Sequence, residues 1–361
     1  MKAGLESVLH REWGRNGLFS RLMWPLSLVY GAIVSTRRAN YERRSDRVHH
    51  DTVPVVVVGN LYVGGTGKTP VVIALTQALQ QRGWTPGIIS RGYGSRQGDK
   101  PRTGLGELDP ALFGDEPALI AAATGAPICV HPDRPAALRR LRRQFPGVDV
   151  VISDDGLQHL ALGRDLEIVV QDMRGIGNGK LLPAGPLREP AQRLESVDFI
   201  INNLLPTDTA PSVPSGMAHV VNMNMQPLEV EHLVTGERQS WKHWLSAHAQ
   251  APCAAAAAIG RPERFFGMLE QYGLPLQQTL ALPDHHAYAT SPFQEMKAEC
   301  ILITPKDAVK CRKLADARLY CVHPGPQFSD STWLDLADDM LSAISERKLA
   351  SARAEALNSD F

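Results

Sequence analysis

Residues 58–70 read VGNLYVGGTGKTP, and the fold turns on whether this stretch is a phosphate-binding loop. The strict pattern, Gly, four residues, Gly-Lys-Ser/Thr, places its first glycine where Tyr62 stands. The flanks decide in favour of the loop. VPVVVV, 53–58, is the β-branched run of a strand buried on both faces of a parallel sheet. After Lys68, residues Val72, Leu75, Ala78 and Leu79 recur at helical spacing up to a natural stop at Gly83. A glycine-rich turn between a buried strand and a helix lets successive N–H groups curl around phosphate oxygens at a positive helix end. Gly64, Gly65, Thr66 and Gly67 form that cradle, Lys68 is expected to reach the β- and γ-phosphates, and the Thr69 hydroxyl is expected to ligate Mg²⁺.

The same alternation continues along the chain. Short apolar strands at 86–90, 148–153, 166–172 and 198–203 are separated by helices at 117–125 and 134–145, which predicts a doubly wound, mostly parallel α/β sheet. A Pro- and Thr-rich stretch from Leu205 to Ser215 reads as a boundary, extended segments follow, and a second α/β run starts at CAAAAAIG, 253–260. The expected organisation is an N-terminal segment over 1–48, a nucleotide core over 49–205, a β linker over 206–250, a smaller C-terminal α/β domain over 251–348 and a loose polar tail over 349–361.

A Mg-nucleotide site also needs an acid at the end of a neighbouring strand. VDVVISDDGLQH supplies Asp154 and Asp155 as candidates for the metal. An acceptor hydroxyl must lose a proton, for which Asp115 in FGDEPALI and His285 in LPDHHAY are candidates; their bland roles are a helix N-cap and a surface histidine. Arg188 and Glu189 sit in the Gly- and Pro-rich LLPAGPLREP, and Arg91 and Arg134 are further candidates for phosphate or substrate oxygens, with plain solvation as the alternative. TPKD at 304–307 has the wrong spacing for a guanine-specificity motif.

Composition narrows the partners. The formal net charge is zero over 361 residues, so nothing marks the chain as a whole for nucleic acid, and no obligate protein partner is expected. The five cysteines are odd in number and scattered, four in or beside apolar runs, as suits reduced core thiols. Near the N-terminus, Leu22 to Thr36 is free of charge and would make a helix about 22 Å long, short of the ~30 Å hydrocarbon core. Trp24 and Tyr30 suit an interface, and Arg37, Arg38, Arg43, Arg44 and Arg47 suit anionic headgroups. A monotopic anchor on a cytoplasmic membrane face is the expectation, with a buried helix, a true span and a secretory signal as the alternatives.

Taken in order, VGNLYVGGTGKTP, SRGYG, GDEP, SDDGLQH, LLPAGPLREP, AAIGRPERFF, PDHH and TPKDAVKC closely resemble the tetraacyldisaccharide 4'-kinase family, the lipid A 4'-kinases of Gram-negative bacteria, over residues 10 to 325. The resemblance implies a fold similar to membrane-associated P-loop NTPases with a smaller C-terminal domain. It also implies ATP-dependent phosphorylation of the 4'-hydroxyl of a tetraacylated disaccharide 1-phosphate, giving lipid IVA at the cytoplasmic face of the inner membrane. ATP and Mg²⁺ are then the cofactors and the acylated disaccharide lipid the substrate. Asp115 with His285 is implied as the base, Asp154 and Asp155 as the metal and phosphate acids, and Glu189 as an assisting group at the metal. The rival is a membrane-recruited ATPase switch, whose loop carries a lysine before the glycine pair; here that position is Val63.

Overall fold

The computed structural model describes residues 9, 11–14, 17–93, 95, 98–205, 207–213, 216–248, 250–284 and 286–359. His285 therefore lies outside the described residues. The chain divides into two compact units. One comprises Ser7–Leu204, Thr209–Met223 and Phe328–Phe361, and the other is centred on Asn224–Gln327 with Leu205–Asp208.

In the first unit the elements follow as α1 (Leu18–Leu22), α2 (Trp24–Arg43), β1 (Val55–Gly59), α3 (Lys68–Gln81), β2 (Pro86–Ser90), β3 (Arg102–Gly104), α4 (Pro110–Phe113), α5 (Asp115–Thr124), β4 (Ile128–Val130), α6 (Arg134–Gln144), β5 (Val150–Asp154), β6 (Leu166–Asp172) and β7 (Phe199–Asn203). The first residues of β8 (His219–His232) pair in parallel with β7. The spatial order β7-β6-β1-β5-β2-β4-β3 is parallel throughout except for the antiparallel edge strand β3. Val55 to Val58 are wholly buried. Each such side chain contributes roughly 1.5 to 3 kcal/mol by burial, so the β-branched run fixes β1 at the centre of the sheet. The carboxyl ends of β1, β5 and β6 consequently lie side by side, and this is where doubly wound sheets bind ligands.

The second unit holds β9 (Arg238–Ser240), α7 (Trp241–Ala247), β10 (Cys253–Ala257), α8 (Pro262–Gln271), β11 (Gln278–Ala281), β12 (Cys300–Ile303), α9 (Pro305–Cys311) and most of β13 (Leu319–Phe328). The order β11-β10-β12-β13 is parallel, and β9 turns back antiparallel on β8. Its core joins Trp241, Trp244, Phe265, Phe266 and Leu269. All five cysteines are buried and free.

Two features differ from the sequence expectation. The last helix, α10 (Trp333–Ser359), groups with the first unit, not with the second α/β run. Buried Trp333 packs edge-on to Phe199 at 5.7 Å, Trp84 Nε1 donates to Asp338 at 2.6 Å, and Lys348 pairs with Asp165 at 2.7 Å. Residues 349–359 are also helical, not a loose tail. SARAEAL contains neither glycine nor proline and is rich in strong helix formers, so a polar composition is compatible with a continuous helix.

The N-terminal helices carry an inverted pattern. Ser20 and Ser27 are the buried positions, whereas Leu18, Leu22, Trp24, Leu26, Leu28, Val29 and Ile33 are exposed, from 52% to 81%. The inward face is polar because it docks on backbone. Ser20 donates to the Ala184 carbonyl, Ser27 to Leu181 at 2.8 Å and Tyr30 to Arg188 at 3.1 Å. Among the described residues no helix is long and apolar enough to cross a membrane.

Candidate active site

The loop leaving β1 is organised by a residue that the motif does not specify. Asn60 Nδ2 donates to the carbonyls of Tyr62 (2.7 Å) and Gly64 (2.9 Å), and its Oδ1 accepts from Lys68 Nζ at 3.1 Å. One buried amide thus closes the turn and aims the lysine. Gly64 and Gly67 hold φ of 95° and 93°, a region that costs other residues about 1–3 kcal/mol. At Gly67 a Cβ would also strike Asn203 Nδ2, which donates to the Thr66 carbonyl at 3.0 Å. Gly64 and Gly65 are exposed, Lys68 and Thr69 half-buried, and Thr66 is buried with a hydroxyl that has no partner.

Opposite Lys68 stands the acid pair at the end of β5. Lys68 Nζ lies 3.3 Å from Asp155 Oδ1, and Arg188 Nη2 lies 3.1 Å from the same oxygen. Burial pushes the Asp155 carboxyl up, but Lys68 and Arg188 outweigh it and hold it at about 2. Asp155 also sits at φ 52°, a left-handed conformation that turns its side chain away from the strand's alternation. Asp154 behaves differently. It is buried, accepts from Ser90 Oγ at 3.1 Å through Oδ2, and leaves Oδ1 without a hydrogen-bond partner. Burial, followed by the like charge of Glu116, pushes it up to about 6. An unsatisfied buried carboxylate oxygen beside a permanently ionised neighbour suits a cation or its water shell.

The other sequence candidates fall as follows. Asp115 is the first residue of α5 and not its cap; Gly114, at φ 94°, is the cap, and a Cβ there would meet the Tyr93 carbonyl at 2.7 Å. The helix start is therefore pressed onto the backbone of Gly92 and Tyr93. Arg134 is completely buried, not a solvated or substrate-facing arginine, and it donates to the carbonyls of His131 (2.9 Å) and Asp154 (3.0 Å). Burial lowers its guanidinium to about 10 despite the two aspartates. It positions the end of β5. Arg91 is exposed and lines a narrow cleft with Lys100, Arg102 and His131. Arg188 Nη2 donates to the Asn60 carbonyl at 2.9 Å besides pairing with Asp155, so it links LLPAGPLREP to the phosphate loop. Glu189 is buried, accepts from Gln158 at 2.6 Å and lies 3.6 Å from Arg193. Among the described residues no three His, Cys, Asp or Glu side chains cluster to hold a metal by themselves.

Asn60, Gln158 and Arg174 escaped the sequence reading, since each works through a hydrogen bond to a loop distant in sequence or to backbone. His159, in the same DDGLQH, is held down to about 4 by burial and then by Arg134, so it is neutral near pH 7.

A parallel sheet with a lysine-bearing glycine loop at its central strand and an acid pair on the adjacent strand defines a protein that binds a nucleotide through its phosphates. The model of the family described as tetraacyldisaccharide-1-P 4'-kinase matches residues 19–341. A tetraacyldisaccharide 4'-kinase of Bordetella petrii is 53% identical over 332 residues, covering 91% of this chain and 94% of the relative. One from Xanthomonas euvesicatoria is 45% identical, covering 87% of this chain and 90% of the relative. The crystal structure of LpxK from Aquifex aeolicus, described as in complex with ATP, has a TM-score of 0.73 at 24% identity, over 90% of this chain and 100% of that one; it supports the fold. The chain belongs to the tetraacyldisaccharide 4'-kinase family and is a kinase.

Proposed function

We propose that this site transfers the γ-phosphoryl group of ATP to the 4'-hydroxyl of a tetraacyldisaccharide 1-phosphate in lipid A biosynthesis, with the lipid presented at the cytoplasmic face of the inner membrane. The observation that carries the reading is the Asn60–Lys68–Asp155–Arg188 cluster at the carboxyl ends of β1 and β5, within a chain whose family assigns the acceptor. The acceptor oxygen forms a bond to the γ-phosphorus, the bond to ADP breaks, and the hydroxyl proton passes to a base. Lys68 exchanges Asp155 for phosphate oxygens, and Gly64 to Gly67 supply backbone donors. Asp115 is proposed as the proton acceptor, and His285 is kept as a proposed catalytic residue. Asp154, Asp155 and the Thr69 hydroxyl are the groups that would hold Mg²⁺, which neutralises charge on the phosphates when bound; the orphaned Asp154 Oδ1 fits that role. Glu189 assists this region by fixing Gln158. Arg91 and Arg188 remain proposed contacts for substrate anions.

The direct test is incubation with labelled ATP, Mg²⁺ and tetraacyldisaccharide 1-phosphate in mixed micelles. Label is expected in the lipid. Steady ATP hydrolysis without lipid labelling would overturn the proposed acceptor.

The outward apolar face of α1 and α2 supports membrane association, because its serines are spent on backbone and its leucines face out. Replacing Leu22, Leu26 and Ile33 together by Glu is expected to weaken binding to anionic phospholipid vesicles at least about tenfold in a sedimentation assay. Unchanged partitioning would show that this face is not the anchor.

A further inference from the structure

Tyr62 occupies the place of the glycine in the strict loop pattern, and its surroundings show what has replaced it. Its ring lies beneath the Arg174 guanidinium at 4.1 Å. Behind it, a Cβ on Gly177 would meet Pro186 at 2.8 Å and the Tyr62 ring at 3.1 Å, so the ring is enclosed by the loop that follows β6. Tyr62 also forms an isolated antiparallel bridge with Leu187, and Val63 N donates to the Pro186 carbonyl at 2.9 Å. Arg174 is itself fixed. Asp172, buried at the end of β6, accepts from Arg174 Nε at 2.9 and 3.0 Å and from Nη2 at 2.7 Å. That same Nη2 donates to the Gly65 carbonyl at 3.0 Å. A Cβ built on Gly64 or Gly65 would meet nothing within 4 Å, so packing around the α-carbons does not hold this part of the cradle.

We infer that Arg174, clamped between Asp172 and the face of Tyr62, is a positioning residue that fixes the Gly65 peptide and thereby tunes affinity for the nucleotide's phosphates. The inference rests on the nucleotide reading of residues 60–69. Turning one peptide plane swings its carbonyl and the next N–H together, so a fork tied to the Gly65 oxygen also sets the Thr66 N–H that contributes to the cradle. An aromatic platform and an arginine thus stiffen a loop whose glycines are otherwise permissive.

The test uses the full-length protein, with direct binding of a fluorescent ATP analogue and steady-state kinetics. Arg174→Ala is expected to raise the KM for ATP and the analogue's Kd about 10- to 100-fold, the loss of a charge-assisted hydrogen bond, with the lipid KM unchanged. Arg174→Lys restores the charge without the fork and is expected to recover only part of this. Tyr62→Leu keeps apolar bulk but removes the cation's platform, for an increase of about 3- to 10-fold. The double variant is expected to be no worse than Arg174→Ala, because the two act through one contact. Analogue affinity within twofold of the parent for Arg174→Ala, whatever its thermal stability, would overturn the inference, as would an increase confined to the lipid KM. Should Arg174→Ala not fold, unchanged analogue affinity in Tyr62→Leu overturns it equally. Analogue binding reads out without the acceptor lipid, so a failure of the proposed lipid phosphorylation is distinguishable from a failure here.

Discussion

Lys68→Ala is expected to lower kcat/KM for ATP on the order of 10³-fold while leaving the fold intact. Lys68 is the first residue of α3, where the helix dipole disfavours a cation. Nothing in local helix energetics asks for a lysine there, and alanine is the better helix former. Folded stability should therefore hold or rise slightly. The side chain is kept in an unfavourable place by Asn60 Oδ1 at 3.1 Å and Asp155 at 3.3 Å, two partners that hold it directed at the loop before any phosphate arrives. Its removal takes away a preorganised charge at the transferring group, and it also leaves Asp155 paired with Arg188 alone. Both binding and turnover are then expected to fall. Lys68→Arg should rescue little, because a planar fork cannot share one amide oxygen that Arg188 already uses. Circular dichroism confirms the fold, and initial rates across ATP concentrations measure the loss. Activity within tenfold of the parent would remove Lys68 from the phosphate site.

What could be read in advance and what could not divide along a physical line. The strand VPVVVV, the glycine turn and the helix after it are local patterns, and β1 and α3 appear where that pattern places them. The acid pair was legible as residue types at a strand end, but its division of labour was not. Asp154 is pushed up to about 6, first by its burial and then by Glu116, while Asp155 is held at about 2 because Lys68 and Arg188 outweigh its burial; all three partners are distant in sequence. Arg134 misled because a charged residue in an arginine-rich helix suggests solvation; the carbonyls of His131 and Asp154 and the charges of Asp154 and Asp155 make its burial tolerable. The serines of the N-terminal helices were invisible for the same reason, since their partners are backbone oxygens some 150 residues away. Asn60 and Arg174 hold the loop through backbone carbonyls, which no side-chain pattern announces.

Asp115→Asn is expected to reduce kcat about 10²- to 10⁴-fold with little change in the KM for either substrate, the signature of a lost general base. The competing role is structural, and its size can be bounded. An acid in the first turn of α5 gains about 0.3–1 kcal/mol from the helix dipole, which Asn forfeits while keeping the shape and much of the hydrogen-bonding capacity. Such a loss moves a denaturation midpoint slightly and cannot remove several orders of magnitude from a rate. Nor does the start of α5 depend on Asp115, since Gly114 forms the cap and is pressed onto the Tyr93 carbonyl whatever side chain follows. Asp115→Ala should match Asp115→Asn in kcat, because both lack the base, and differ from it only in stability. A rise in KM with unchanged kcat in both variants would assign Asp115 to substrate binding and require a different proton acceptor.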